Sequence, residues 1–261
     1  MNIYIAVDME GISGVYHPDQ TSTGSRYEEA RRFMTWDINA CAEGCKKAGA
    51  NKIIVADVHY KGDNVIWPEL SSKIDSVVVG TKGLERRFTG IEECDAVILL
   101  GYHAMAGTAG GVLEHTWNSK GWQNLWINGQ LAGEIALDTA IAGGYGKPVI
   151  MVSGDDYTCA EAKALKPDII TAEVKKGVTA FGARLLLKEA AHELISLCAE
   201  RAVKQAGSIK PYDVKKPVTL RVELVERQQL PSQHAKPYMK IIDGRTYEVT
   251  GDTVEEALFR L

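Results

Sequence analysis

Hydrophobic positions along this chain fall into two rhythms. Short β-branched runs at Ile3–Val7, Ile53–Val55, Val77–Val79, Ala96–Leu100 and Val149–Val152 are bounded by polar residues or glycine, as strands buried on both faces are. Between the first two, Tyr27, Ala30, Met34, Ile38, Cys41 and Cys45 step by three or four until Lys46, Lys47 and Gly49 close the segment, and Ser25 and Glu28 stand at capping-box spacing. This predicts an amphipathic helix with its cysteines in the apolar stripe. Further helices are predicted at Glu134–Ala142, stopped by Gly143–Gly144, and at Ala183–Ala206, where Leu187, Leu194 and Leu197 mark a buried face and Gly207 the stop.

Strands alternating with helices imply a mostly parallel sheet covered on both faces. After Pro211 the rhythm changes: Val218, Leu220, Val222 and Leu224 alternate with Thr219, Arg221 and Glu223, Asp243-Gly244 reads as a hairpin turn, and a terminal helix starts near Thr253. The expected fold is therefore α/β, a three-layer sandwich with a mostly parallel sheet and a C-terminal β-hairpin/helix appendage. At about 150 residues per domain, 261 residues give between one and two units. The expectation is one α/β hydrolase-type domain over residues 1–261, with a core at 1–207 and the appendage at 215–261.

Composition narrows the function classes. With 45% apolar and 25% charged residues the chain is an ordinary soluble one that can bury a large core. Thirty basic against 34 acidic residues, with no cluster of Lys and Arg, argue against a nucleic-acid partner. Asp8 interrupts the first apolar run and the longest strictly apolar run near the middle is Ala96–Leu100, so neither an export signal nor a membrane span is expected. Five sparsely placed cysteines without a C-x-x-C pair fit a reducing cytoplasm.

The chemistry collects at strand ends. Asp8 and Glu10 follow the first strand at i, i+2, a spacing that on an extended backbone puts both carboxylates on one face, about 6.5 Å apart. His59, His103 and the pair Asp155–Asp156 follow three other strands, where sites form in open α/β sheets. Asp155 and Asp156 also precede a helical pattern that needs an N-cap, the plainer role for them. Two imidazoles and several carboxylates make a mixed N/O set suited to zinc or another divalent first-row metal. Asp8, Glu10, His59 and His103 exceed what one zinc needs, so two metals sharing a carboxylate is the natural reading. Trp117, Trp122 and Trp126 are expected in the core or at a subunit contact. His192 lies off the apolar stripe of its helix and is expected in solvent, and His17 and His234 have no setting like that of the strand-end histidines.

VDMEGISGV at 7–15, the Asp57-Val58-His59 strand end, GYHA at 101–104, His115, INGQLAGE at 127–134 and VSGDD at 152–156 together resemble the zinc-dependent D-aminopeptidases encoded with bacterial dipeptide-transport operons. The resemblance covers most of the chain. It implies two zinc ions per subunit, with Asp8 as the bridging carboxylate and Glu10, His59, His103 and Glu134 completing the set. It implies His115, beyond the Gly- and Ala-rich segment 104–114, as the catalytic histidine. It further implies short peptide substrates with a free N-terminus, possibly D-alanyl, and a large homo-oligomer, a decameric ring. Two other readings fit the same residues: a metal-dependent hydrolase of another amide or ester, and a non-catalytic cytoplasmic peptide-binding protein.

Overall fold

The computed structural model describes residues 1–81, 84–232 and 236–261; His234 lies outside them. Its strands are β1 (Asn2–Val7), β2 (Lys52–Asp57), β3 (Ser76–Val78), β4 (Ala96–Leu100), β5 (Trp122–Ile127), β6 (Gln130–Ala132), β7 (Val149–Asp155), β8 (Ile170–Thr179), β9 (Gly182–Leu185), β10 (Val218–Leu224), β11 (Met239–Ile241) and β12 (Thr246–Gly251). Its α-helices are α1 (Tyr27–Lys47), α2 (Glu134–Gly144), α3 (Asp156–Leu165), α4 (Lys188–Gln205) and α5 (Val254–Arg260). The main sheet has the order β3-β2-β1-β4-β7-β8-β9, parallel except for the β8–β9 hairpin. A second, antiparallel sheet has the order β11-β12-β10-β5-β6.

The period-2 alternation of the central strands sorts their side chains into two cores. Ile3, Ile5, Val7, Ile53, Val55, Ile98 and Leu100 meet Met34, Ile38 and Cys41 of α1 and Ala191, Ile195 and Ala199 of α4. Tyr4, Ala6, Ile54, Val97 and Leu99 face the opposite way, onto Leu125, Leu220, Val222 and Val249 of the second sheet and Ile135 and Ile141 of α2. Three layers result: a helix pair, the parallel sheet, and the antiparallel sheet with its helices. The C-terminal strands therefore extend further than a hairpin at an edge, because β10 pairs with β5 and completes the outer sheet. The turn at Asp243-Gly244 joins β11 to β12, and Thr253 caps α5 through the Glu256 amide.

Several local expectations are corrected. Helix α4 begins at Lys188, because residues 182–185 pair with β8 as a strand instead. Its buried face is Ala191, Ile195, Ala199 and Ala202, while Leu187 and Leu197 are 80% and 61% exposed. Small residues win this face because α1 and α4 approach closely: a Cβ on Gly44 would lie 2.0 Å from the Ser196 carbonyl oxygen. Ser25 does not cap α1; Arg26 occupies the N-cap without a side-chain bond. His192 does not stand in open solvent, since its Nε2 lies 3.3 Å from Asp37 on α1.

Candidate metal centre

The chain runs β1→β2→β3 to one side of the main sheet and resumes with β4 on the other side of β1, so the strand order reverses between β1 and β4. Asp8 and Glu10 leave β1 there, His103 leaves β4, and His59 comes from the neighbouring β2. The two central turns press together: Gly11 N–H donates to Gly101 O at 2.8 Å, and a Cβ on Gly11 would lie 1.8 Å from Tyr102 O. Asp8 and Glu10 converge through this tight turn, not along an extended strand.

The turn is held from beneath by residues invisible to motif reading. The ammonium of Lys175, wholly buried, donates to the carbonyls of Glu10, Ile12 and Val15. Asp37 of α1 accepts from the Ser13 N–H and hydroxyl at 2.8 and 2.6 Å. Lys175 points inward because the β7–β8 register slips after Gly154–Glu173, so Val174 and Lys175 both turn to the core.

Three imidazoles share one arrangement. His59 sets Nε2 2.6 Å from Thr21 O and turns Nδ1 to Asp8 Oδ1 at 2.9 Å and Glu10 Oε2 at 3.2 Å. His103 sets Nδ1 3.0 Å from Ala104 O and turns Nε2 to Glu134 Oε1 at 3.1 Å and Asp8 Oδ2 at 3.4 Å. His115 sets Nδ1 2.9 Å from Leu113 O and turns Nε2 to Glu134 Oε1 at 3.6 Å, its ring stacked on His103 at 4.0 Å. In each case a backbone carbonyl accepts from one ring nitrogen, which turns the other nitrogen onto carboxylate oxygens. That arrangement favours a positive charge between ring and carboxylate, a proton or a metal ion. Two of the centre's buried atoms, Glu10 Oε2 and His103 Nε2, have no hydrogen-bond partner among the described residues.

Electrostatics agree. Burial opposes charge on His103 and His59, yet the carboxylates of Glu134 and Asp8 raise His103 to about 10, and Glu10 and Asp8 hold His59 well above an ordinary histidine. Against the same burial, the imidazoles lower Glu134 to about 2 and hold Glu10 below the ordinary carboxylate range. Among the described residues, two sets hold donor atoms within 4.8 Å of one another: His103, His115 and Glu134, and Asp8, Glu10 and His103. A borderline N/O donor set of this kind fits zinc.

The other candidates resolve differently. Asp155 caps α3 by accepting from the Thr158 amide and hydroxyl, and also accepts from Val112 N–H; Asp156 accepts from Gly177 N–H. Both are occupied in structural bonds. Trp117, grouped by sequence with core or contact residues, lines the centre's cavity of about 690 Å³ and donates its backbone N–H to Glu134 Oε1 at 2.8 Å. Sequence reasoning missed Arg87, Asp138 and Lys175. Arg87 sits in a polar stretch without periodicity, and nothing in its neighbourhood signals a buried guanidinium. Thr21, Tyr60, Leu84 and Phe259 form other parts of the cavity wall, and the volume suits a short peptide.

Similarity to known proteins runs along the whole chain. A family model described as D-aminopeptidase matches residues 1–261. The D-aminopeptidase of Bacillus subtilis (strain 168) is 32% identical over 255 residues, covering 94% of this chain and 89% of that protein. The solved structure of the Zn-dependent D-aminopeptidase DppA from Bacillus subtilis, described as a self-compartmentalizing protease, superposes with a TM-score of 0.90 at 28% identity. That superposition covers 100% of this chain and 95% of the other.

Proposed function

The chain belongs to the D-aminopeptidase family, and from that premise we propose that it is a zinc-dependent aminopeptidase that binds two zinc ions and cleaves short peptides from a free N-terminus. The observation that carries the reading is the set of three imidazole nitrogens turned onto Asp8, Glu10 and Glu134, with backbone carbonyls fixing the far side of each ring. Asp8, whose two oxygens face different histidines, His59 and His103, would be shared by the two ions. Glu10 and His59 would help to hold one, His103 and Glu134 the other. Bound there, zinc supplies Lewis acidity toward the scissile carbonyl and lowers the pKa of a coordinated water toward about 7.

His115 lines the cavity, and Leu113 O fixes its tautomer. Its Nε2 holds or moves a proton beside the reacting carbonyl, or donates to the developing oxyanion. Apolar Trp117, Leu84 and Phe259 exclude water from the bound peptide. The preferred substrate carries an N-terminal D-residue such as D-alanine, and acetylating its amine removes the lone pair that a metal or acid would recognise. The test measures zinc per chain together with turnover of D-alanyl, L-alanyl and N-acetylated dipeptides. Full turnover by metal-free protein, or equal turnover of blocked and free peptides, refutes the reading.

The working form is a large homo-oligomer, with a decameric ring as the specific expectation. Exposed Val178, Phe181, Leu187 and Leu197 supply apolar contact area. Light scattering that gave 28.5 kDa would refute assembly. The two sheets act as one domain, because β5, β6 and α2 lie in the chain between β4 and β7. No helix among the described residues is long and apolar enough to cross a membrane. The five thiols are free, in keeping with a cytoplasmic site of action.

A further inference from the structure

We infer that Arg87 is the positioning residue for the Glu134 end of the centre, joining by one planar guanidinium the segments that deliver His59, His103, His115 and Glu134. The inference rests on the two-metal reading above. Arg87 is nearly buried and lies outside every motif that identifies the site. Its Nε and one terminal nitrogen grip the two oxygens of Asp138 at 3.0 and 2.9 Å, and its other terminal nitrogen donates to Val58 O at 3.1 Å. The guanidinium carbon lies 4.8 Å from the centre of the Trp117 ring, and the nitrogen that grips Asp138 also lies 3.9 Å from Glu134 Oε2.

Each of these partners is close in sequence to a site residue. Val58 precedes His59. Asp138 lies one turn beyond Glu134 on α2, and its Oδ2 also accepts the hydroxyl of Tyr102, the residue before His103, at 2.5 Å. Trp117 follows His115 by two residues and donates its N–H to Glu134 Oε1. Glu134 is thereby held at Oε1 by the Trp117 backbone amide on the histidine side, while Oε2 faces the guanidinium charge at 3.9 Å. Three directions of bonding from one rigid plane need the arginine fork; a lysine presents a compact point charge that reaches one partner at a time. Ligands arriving from β2, β4, a loop and α2 have no shared secondary structure to set their spacing, so a residue that ties their neighbours together sets it.

The experiment strips the purified protein of metal and titrates zinc back against a chromophoric chelator, alongside melting temperature. Wild type should take up two ions. Arg87→Met, and Arg87→Lys equally, should weaken the ion at the Glu134 end by about 10- to 100-fold and the ion at the Glu10–His59 end, tied only through Val58 O, by less. Because Arg87→Met strands the Asp138 charge and threatens folding, the deciding variant pairs it with Asp138→Asn, which removes that charge and keeps an acceptor for Tyr102. A purely structural arginine predicts that this double variant regains both stability and wild-type zinc affinity, and that result overturns the inference. Recovery of stability with the affinity loss retained supports it, as does partial restoration of zinc binding to the double variant by added methylguanidinium. A wild type that takes up only one ion removes the two-metal reading, and this inference with it, before any variant is made.

Discussion

The two loops that face each other across the centre are anchored in opposite ways. Residues 8–15, after β1, are fixed through their carbonyls by Lys175 and at Ser13 by Asp37. Residues 104–116, after β4, are fixed through their amides: Met105 N–H donates to Glu161, Gly107 N–H to Glu114 and Val112 N–H to Asp155. The first loop is buried almost throughout and carries two carboxylates; the second is half exposed over 105–110, with Gly107 and Gly110 at positive φ, and carries His115. A cation beneath the first loop offsets the repulsion of carboxylates gathered above it. The second loop holds one imidazole at the cavity wall and needs only enough anchoring to aim it.

Metal retention is therefore expected to depend more on the first loop and turnover more on the second. Asp8→Ala removes the carboxylate whose two oxygens face different histidines, so on the two-metal reading both zinc ions should be lost and activity should fall below detection. Metal analysis of the purified variant checks this, and retention of two ions would place the bridge elsewhere. His115→Ala should keep both ions and the melting temperature while lowering kcat by roughly 10² to 10⁴-fold. Loss of one zinc from that variant would instead make His115 a ligand alongside His103 and Glu134 and erase the division between the loops.

The same contrast explains what the sequence made legible. Strands β1, β2, β4 and β7 are apolar on both faces and end in side chains of obvious chemistry, so their places and the Asp8, Glu10, His59 and His103 convergence follow from pattern and the strand-end rule. Glu134 is different: a glutamate opening a helix has an ordinary explanation in the helix dipole, and resemblance alone singled it out. The anchors were opaque for a physical reason. Lys175 looks like half of a solvated Lys-Lys pair on a strand, and only a register slip in its pairing with β7 turns it inward. Leu187 and Leu197 misled in the opposite sense. Their size suggested the core face of α4, whereas close helix contact selected the alanines and left the leucines outside.

Lys175→Met tests the first loop's anchor. It replaces a buried ammonium with a side chain of similar length and strands three carbonyl acceptors, so unfolding free energy should drop by roughly 3 kcal/mol. The loop's grip on Glu10 should loosen with it, and the loss should appear as weaker zinc binding at the Asp8–Glu10 end, with the His103–Glu134 end spared. Chemical denaturation of the metal-free variant separates the stability term from the binding term. An unchanged midpoint would mean that Asp37 alone holds the loop.

A pH-dependent effect, reaching its full size only above the titration of the group, concerns Glu161, which anchors the second loop. Burial raises its carboxyl to about 7, the Met105 amide and His103 opposing the rise, and its Oε1 has no hydrogen-bond partner. A carboxyl whose folded pKa lies above its ordinary 4.5 binds more protons in the folded than in the unfolded protein between those values. Stability therefore falls as pH rises from about 4.5 to about 7, by roughly 3 kcal/mol at most, and stays at the lower level above that window. Glu161→Gln keeps an acceptor for Met105 N–H but cannot ionise, so this part of the pH dependence should vanish. The readout is the slope of unfolding free energy against pH, which a constant offset from the amide does not disturb. Metal-free protein should show the larger difference between wild type and variant, because cations bound near Glu134 favour the ionised carboxylate and pull the folded pKa back toward 4.5. Parallel slopes for wild type and variant in the metal-free state would show that Glu161 ionises freely, and the second loop would then be held by a fixed charge, as the first is.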